Sequence, residues 1–468
     1  MEYIIQQITE DLARNILEKS LSGKIHDIDD LADELLGDCK TAASKMLTVI
    51  LEHMNDELRK DKRARKELGL VLQDKGRERV LLTSLGQLEW KRDYYLDTNR
   101  GAYCYPLDEM IGVRPYERIG DAVSAKMLNA AAEVSYAKSA EMVTGGAVSR
   151  QTVRNKLLKL EVPEKELPKK RQEVRELHVY ADEDHAHMQR PGKEKGKRSQ
   201  RIPFVTVGEG LEKVSEGRNA VVNPMHFVDE RFDTKELWRS VSGYIGAAYD
   251  AANLEKIYVH GDGGKWIKSG LREYVQTEHV MDLFHLAKRV RSLSLMFPER
   301  NVRIVILSAL KANDRRRADR FLCELQEEAG SEKERCEVRD FGKYLFGSWE
   351  ENMNSLKEDN GGSCTEGQVS HLLSERVSRD PLGWSREGLG KLTKVRISVK
   401  NGRPIESSDF KTKERQAGYA QYADQLIEES MRGAKDWSLF ERELPIFDTA
   451  SGTQTIIHAL GAEHGLLS

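Results

Sequence analysis

The chain lacks the features that mark secreted, membrane and zinc-binding proteins. Its five cysteines are scattered and form no C-x-x-C pair, so free thiols are expected rather than disulfides or a zinc site. No apolar run approaches the roughly eighteen residues of a membrane-spanning helix, and residues 1–5 do not begin a secretion leader. We therefore expect a cytoplasmic protein without a membrane partner.

Charge of one sign and internal repetition are lacking as well. Lys and Arg number 74 against 77 Asp and Glu, for a formal net charge of −3, so composition alone does not indicate a polyanionic partner. No repeat of roughly 20 to 50 residues is present, which argues against a solenoid. A length of 468 residues is enough for about three domains.

The residues that are present predict an α+β protein of several domains. Region 1–75 has apolar residues at helical spacing, and a small β-module is predicted at 76–112. Within it, alternation over 79–97 indicates a hairpin that turns near Gly86. Region 113–165 returns to helical spacing, broken by a glycine turn, and is predicted to resemble a helix-turn-helix.

This helix-turn-helix-like region has predicted helices at 136–143 and 149–160, with Ser149 as the N-cap of the second. Residue types that reach base edges and phosphates from a recognition helix face outward on the second helix. They are Arg150, Gln151, Arg154 and Lys156. An ordinary helical hairpin fits the same pattern.

An α/β pattern follows a charged linker at 163–170. Strands are predicted at 176–188, 201–207, 220–227 and 257–260, with a fifth ending at 281, and helices at 235–249 and 283–295. This order is that of a mixed, ribonuclease-H-like sheet, although periodicity alone predicts only an α/β domain. We assign a catalytic domain to 172–290 and 361–400, a helical insertion to 291–360 and a C-terminal tail to 401–468.

A basic segment separates the first two predicted strands of this domain. It has six basic residues and one acid, Glu194; the basic residues are Arg190, Lys193, Lys195, Lys197, Arg198 and Arg201. Such a hairpin tip is suited to binding DNA phosphates. A solvated basic loop is the simpler interpretation.

Acidic residues interrupt the first predicted strand. Alternation places Asp182 and Asp184 on one face and Glu183 on the other. Asp is disfavoured in strands and costly to bury without a partner. The pattern therefore indicates either a bound cation or an exposed edge where the charges are solvated.

Two further acids stand at the ends of predicted elements. Asp262 follows an apolar strand and is flanked by glycines, where α/β sheets bind ligands, but it would also suit a helix N-cap. Glu366 opens a later helix and has the capping-box spacing from Ser363. Spacing alone does not favour Glu366 over three other glutamates, Glu350, Glu351 and Glu375.

Together these segments resemble a known family, the DDE transposases of bacterial insertion sequences of the ISLre group, related to the Mutator-like superfamily. The resemblance covers about residues 75–400. It is carried by residues 181–185 (ADEDH), 261–263 (GDG) with 266–268 (WIK), 282–286 (DLFHL), 365–370 (TEGQVS) and 384–385 (WS), and by residues 83–109.

The resemblance implies a catalytic and metal-binding triad of Asp182, Asp262 and Glu366. It also assigns Asp282 and His285 to an Asp-x-x-His signature, with His285 contacting the scissile phosphate. Asp184 either supplements or replaces Asp182 as a ligand, and Asp282 is a further candidate. The implied cofactors are two Mg²⁺ or Mn²⁺ ions per active site, since such ions take oxygen ligands.

The implied function is that of a transposase that binds the terminal inverted repeats of its element and cleaves and transfers DNA strands. Its partners would be double-stranded DNA and further copies of itself, as a homodimer or higher oligomer, associated with the nucleoid. A domesticated, non-catalytic DNA-binding protein is the main alternative. A nuclease acting on RNA–DNA hybrids is the third.

Overall fold

The computed structural model describes residues 2–21, 27–168, 170–189, 199–215, 218–357, 365–379, 383–410 and 417–433. These residues fall into two compact units: one runs to Gly120 and includes the last described helix, and the other runs from Asp121 to Phe410. No helix in these ranges is long and apolar enough to cross a membrane. The predicted α+β class is confirmed by the mixture of helices and sheets.

The first unit combines helices with a three-stranded antiparallel sheet. Its elements are α1 (Glu2–Leu21), α2 (Ile28–Lys60), α3 (Lys62–Glu67), β1 (Leu70–Thr83), β2 (Gly86–Asp97), β3 (Ala102–Cys104), α4 (Pro106–Met110) and the helix Ala417–Gly433. Thr83 pairs with Gly86, which confirms the predicted hairpin. β1 begins at Leu70, inside the region predicted to be helical.

The last described helix contributes to the core of the first unit. Tyr419 is buried together with Leu58 of α2 and Tyr95 of β2. The Tyr419 hydroxyl donates a hydrogen bond to Asp97 Oδ2 at 2.9 Å. The segment predicted as a tail therefore includes a helix that stabilises the first unit.

The second unit begins with three helices, α5 (Asp121–Glu133), α6 (Tyr136–Thr144) and α7 (Arg150–Lys159). The predicted helix pair and turn are confirmed. Gly145 ends α6 in the left-handed conformation, and Ser149 caps α7 by accepting the Thr152 N–H at 3.3 Å.

A five-stranded mixed sheet forms the centre of this unit. Its chain segment contains β4 (Glu176–His187), β5 (Ser199–Gly208), β6 (Leu211–Ser215), β7 (Arg218–Val221), β8 (Met225–Val228), α8 (Thr234–Ala248), β9 (Lys256–Gly261), α9 (Lys265–Lys268), β10 (Thr277–Met281) and α10 (Leu283–Met296). The strand order is β10-β9-β4-β5-β8. β4, β9 and β10 are parallel, while β5 runs antiparallel to β4 and β8.

The single strand predicted at 220–227 is wrong. Residues to Val221 form β7, which pairs with β6 in a separate hairpin, and the strand that joins the sheet begins at Met225. Asn223 has a positive φ of 47°, and Pro224 has no N–H to donate to a ladder. These two residues turn the chain between the strands.

Helices make up the remainder of the second unit. They are α11 (Val302–Lys311), α12 (Arg315–Glu328), α13 (Glu332–Gly347), α14 (Trp349–Asn354), α15 (Thr365–Val369), a π-helical turn (Ser370–Ser374), α16 (Glu375–Val377) and α17 (Arg386–Lys400). α10 to α14 share one apolar core that includes Leu286, Ile306 and Leu345. α11 to α14 lie within the region 291–360 that the sequence predicts to be a helical insertion.

The two faces of the central sheet differ in character. One face is aliphatic, and its Val179 and Val259 pack against Leu237 of α8. The other carries buried aromatic and imidazole rings, where His178 Nδ1 lies 3.2 Å from His260 Nε2 and other rings stack beside them. These histidines are buried in their neutral form, because burial lowers the pKa of His178 and lowers that of His260 to about 3.

Acid is expected to destabilise the second unit through His226. Burial, with the nearby charges of Lys165 and Lys400, lowers the pKa of His226 from 6.5 to about 4. Below pH 6.5 the unfolded chain takes up a proton that the folded chain does not, so stability falls between about pH 6.5 and 4. From pH 7 to 5 this site should lose about 2 kcal/mol of unfolding free energy.

Urea unfolding of wild type and His226→Gln at both pH values checks this expectation. The glutamine amide can still bond the Thr206 hydroxyl, which lies 2.9 Å from His226 Nδ1 in the wild type, but it takes up no proton. The variant should lose about 2 kcal/mol less than wild type on acidification. Equal losses would show that His226 is not the group responsible.

Candidate active site

Three aspartates lie side by side at the carboxyl edge of the sheet. In the pairing of β4 with β9, Tyr180 lies opposite His260. Asp182 and Asp262 each follow two residues later in their parallel segments and therefore lie next to each other. β10 pairs Met281 with Gly261, so Asp282 follows next to Asp262. The N–H of Asp282 donates to the Gly261 carbonyl at 2.8 Å.

Backbone amides orient the three carboxylates. Asp182, only 9% exposed, accepts the Glu183 N–H at 2.8 Å. Asp262 accepts the Gly264 N–H at 2.8 Å, and it does not cap α9, whose N-cap is Gly264. Asp282 does cap its helix, since it accepts the Phe284 N–H at 2.9 Å.

The glycines on either side of Asp262 permit close packing of its loop. A Cβ at Gly261 would lie 2.8 Å from the Ala181 carbonyl oxygen. Gly263 has a φ of +80°, and a Cβ there would lie 3.1 Å from Ser348 Oγ. Both positions therefore require glycine, which explains the Gly-Asp-Gly motif as a means of holding Asp262 next to Asp182.

The predicted alternation along β4 is confirmed by its side-chain partners. Glu183 accepts the Trp266 indole N–H at 3.0 Å on the α9 side. Asp184 accepts the Ser378 hydroxyl at 2.8 Å on the opposite side. Asp184 thereby links β4 to the segment that follows α16.

The chain matches the uncharacterised protein family UPF0236 over residues 23–415. It belongs to this family. A UPF0236 protein of Caldanaerobacter subterraneus subsp. tengcongensis is 33% identical over 92% of this chain and 88% of its own length. A second from the same strain is 33% identical over 86% of this chain and 85% of its own length. The name of the first relative contains eleven locus numbers, and the name of the second contains four.

In this UPF0236 chain Glu366 lies on α15, which packs against β4, the strand that carries Asp182. Its side chain is outside the described part of the structure. Among the described side chains, no three His, Cys, Asp or Glu form a group that could hold a metal. Of the other glutamates, Glu351 pairs with Lys268 at 2.5 Å and Glu375 bonds His371 at 3.0 Å.

His285 lies one helical turn beyond Asp282, at the start of α10. Its N–H donates to the Asp282 carbonyl at 3.1 Å, and its half-buried ring meets Phe284 edge-on at 5.6 Å. The Asp-x-x-His spacing thus places both side chains at the end of β10.

The predicted DNA-contacting residues have different surroundings. Arg150 and Gln151 are exposed on α7, whereas Arg154 and Lys156 are half-buried. Arg201 forms an ion pair with Glu183 at 3.3 Å. The rest of the basic segment lies outside the described residues, namely Arg190, Lys193, Lys195, Lys197 and Arg198.

The helical insertion is attached to the candidate site by contacts that spacing does not indicate. Lys268, six residues after Asp262, donates to the Gly347 carbonyl and to Ser348 Oγ, both at 3.1 Å. The end of α13 is therefore attached to the Asp262 loop. Tyr344 lies one turn earlier on α13, about eighty residues from Asp262 in sequence, and no local pattern marks it.

Proposed function

We propose that this protein is a DDE-type DNA transposase that binds the ends of its element and catalyses metal-dependent cleavage and transfer of DNA strands. The observation that carries the proposal is that Asp182 on β4 and Asp262, directly after β9, lie at one edge of the sheet, where these two strands are adjacent and parallel. Acids about eighty residues apart in sequence are brought together there, as the resemblance to DDE transposases requires.

The sheet topology supports a ribonuclease-H-like catalytic domain. Numbered within the domain, the strand order reads 5-4-1-2-3, with the second strand antiparallel to its neighbours and the first, fourth and fifth parallel. A helix crosses over between the third and fourth strands. This is the arrangement that the resemblance implies.

The donor set fits divalent cations that prefer oxygen. Carboxylates are the hard ligands of Mg²⁺ and Mn²⁺, and Asp182, Asp262 and Glu366 would hold two such ions. When bound, the ions activate the attacking oxygen and stabilise the leaving oxygen of an in-line phosphoryl displacement. Asp282 and Asp184 are additional ligand candidates, and His285 would contact the phosphate.

The chemistry needs no covalent protein intermediate. Water first attacks the phosphodiester at the element end, and the strand leaves with a free 3′-hydroxyl. That hydroxyl then attacks a phosphodiester of the target strand at the same site and displaces a second 3′-hydroxyl. The protein contributes carboxylates, positioning and DNA contacts.

DNA binding is assigned to α7 and to the basic segment before β5. Arg150, Gln151, Arg154 and Lys156 would contact the terminal repeats, and Lys193, Lys195, Lys197, Arg198 and Arg201 would contact phosphates near the site. Bringing two ends together calls for a homodimer or higher oligomer. Because it would bind DNA, we also propose that the protein is associated with the nucleoid.

The names of the relatives add independent support. One relative's name joins eleven loci and another four in a single strain. A coding sequence carried at many loci of one genome is what a mobile element produces.

A metal-dependent joining assay tests the proposal. The full chain is incubated with labelled DNA ends taken from the borders of its own element, with scrambled ends as the control, in Mg²⁺, Mn²⁺, Ca²⁺ or EDTA. We expect nicked and joined products only with true ends and with Mg²⁺ or Mn²⁺. Specific end binding without any cleavage would reject the transposase and favour a domesticated DNA-binding protein, whereas cleavage of RNA–DNA hybrids alone would favour a nuclease.

A further inference from the structure

A half-buried tyrosine of the helical insertion has a hydroxyl group without a hydrogen-bond partner among the described residues. The hydroxyl of Tyr344 on α13 is buried and forms no hydrogen bond with any described residue. An unpaired hydroxyl in a protein interior costs roughly 1–3 kcal/mol. A buried hydroxyl that remains unpaired despite this free-energy cost is a candidate for contact with a ligand.

The surroundings of Tyr344 attach it to the candidate site. Arg289 of α10 lies with its guanidinium carbon 4.3 Å from the ring centroid. One turn further along α13, Gly347 and Ser348 receive the hydrogen bonds of Lys268, and Ser348 packs against Gly263. The part of α13 that carries Tyr344 is therefore attached, one turn further along, to the loop that carries Asp262.

The electrostatics of this position keep Tyr344 protonated. Burial raises the pKa of Tyr344 to about 12, and the negative charges of Asp262 and Asp282 contribute to the rise. The Arg289 guanidinium opposes this rise. The hydroxyl therefore carries its proton at neutral pH and can donate a hydrogen bond, whereas the carboxylates of the site can only accept.

We propose that Tyr344 contacts the substrate, with its hydroxyl donating a hydrogen bond to a non-bridging oxygen of the DNA phosphate held next to Asp262 and Asp282. The inference rests on the proposed transposase function and adds a donor to it. An anionic phosphate oxygen accepts such a bond strongly. The insertion would then complete the active site as well as cover the edge of the sheet.

Tyr344→Phe removes only the hydroxyl and leaves the ring in contact with Arg289. Tyr136→Phe is the matched control, because the Tyr136 hydroxyl on α6 is also buried and forms no hydrogen bond with a described residue. The charged groups that act on Tyr136 are Arg376 and Arg154, not the aspartate row. Neither substitution is expected to weaken folding.

We expect Tyr344→Phe to lower the rate of end cleavage at saturating DNA and metal by about 10- to 100-fold, the value of one hydrogen bond to a charged group. KM should not change, and Mn²⁺ binding without DNA, followed by electron paramagnetic resonance, should match wild type. Tyr136→Phe should cleave at the wild-type rate.

A phosphorothioate at the scissile position distinguishes direct contact from a structural effect. Sulfur accepts hydrogen bonds poorly, so for one diastereomer the loss caused by Tyr344→Phe should shrink towards onefold. Three results would each overturn the inference. They are a loss of cleavage rate that stays undiminished with both diastereomers, weakened Mn²⁺ binding by Tyr344→Phe, and cleavage by Tyr344→Phe at the wild-type rate. Absence of cleavage by the wild type would instead reject the proposed function, and the inference with it.

Discussion

Replacing Asp262 by asparagine is expected to slow metal-dependent strand cleavage by about a thousandfold or more. A bound metal ion contributes several kcal/mol to stabilising the transition state, and each 1.36 kcal/mol is worth a factor of ten in rate. Asparagine has the same shape as aspartate and can still accept the Gly264 N–H that lies 2.8 Å from Asp262 Oδ1. The change therefore removes the negative charge and preserves the loop.

Asp250→Asn is the matched control for this substitution. Asp250 Oδ1 also accepts the N–H two residues ahead, that of Ala252, at 3.1 Å, but it lies in an exposed loop. Its variant should cleave like wild type, and both variants should bind element ends in Ca²⁺. Asp182→Asn is expected to match Asp262→Asn, and full cleavage by either would remove that residue from the triad.

Substitution of Arg396 by methionine is expected to lower the free energy of unfolding by about 3–5 kcal/mol, because three backbone carbonyl oxygens lose the buried, charged donor that they bond. Arg396 is 1% exposed. It donates to the Ala132 carbonyl at 2.8 Å and to Glu133 at 2.7 Å, near the end of α5. It also donates to the His371 carbonyl at 2.8 Å, within the π-helical turn.

The cost is large because methionine fills the space but donates no hydrogen bond. Carbonyls at the end of α5 and in the π-helical turn would lose this donor inside the protein. The turn continues the helix that carries Glu366, so cleavage should fall as well.

Urea unfolding measures the effect, with Arg386→Met as the control. Arg386 is exposed on the same helix and bonds only one described backbone carbonyl, that of Arg231, at 3.0 Å. Its loss should cost less than about 0.5 kcal/mol. Similar losses in the two variants would show that the buried network does not stabilise the unit.

The sequence predicted helices and strands well where they depend on interactions between neighbouring residues, such as helix caps, turns and strand alternation. Alternation and the glycine at 86 predicted the β1–β2 hairpin, and the Ser149 cap predicted the start of α7. The one strand that failed, at 220–227, failed because the apolar run hides the break at Asn223 and Pro224. Its apolar residues serve two different sheets.

The candidate site was predictable in part. An acid in mid-strand violates local preferences, which singles out Asp182, and Asp262 stands out because it follows an apolar strand at the place where α/β sheets bind ligands. Glu366 was chosen from the resemblance alone, since capping explains it equally well. Tyr344 lies on a helix with an ordinary pattern, and nothing near it in sequence predicts its position. Lys268 belongs to the 266–268 segment of the resemblance, but spacing does not predict its bonds to Gly347 and Ser348.

The sequence by itself determined the approximate positions of most helices and strands, which faces are apolar and which acids are out of place, because these depend on residues a few positions apart. Only the tertiary structure decided that three aspartates form one row, that the insertion attaches to the Asp262 loop, and that Arg396 joins α5 to the π-helical turn. Such contacts depend on the pairing of strands and the packing of helices across a hundred or more residues, and local patterns do not encode them.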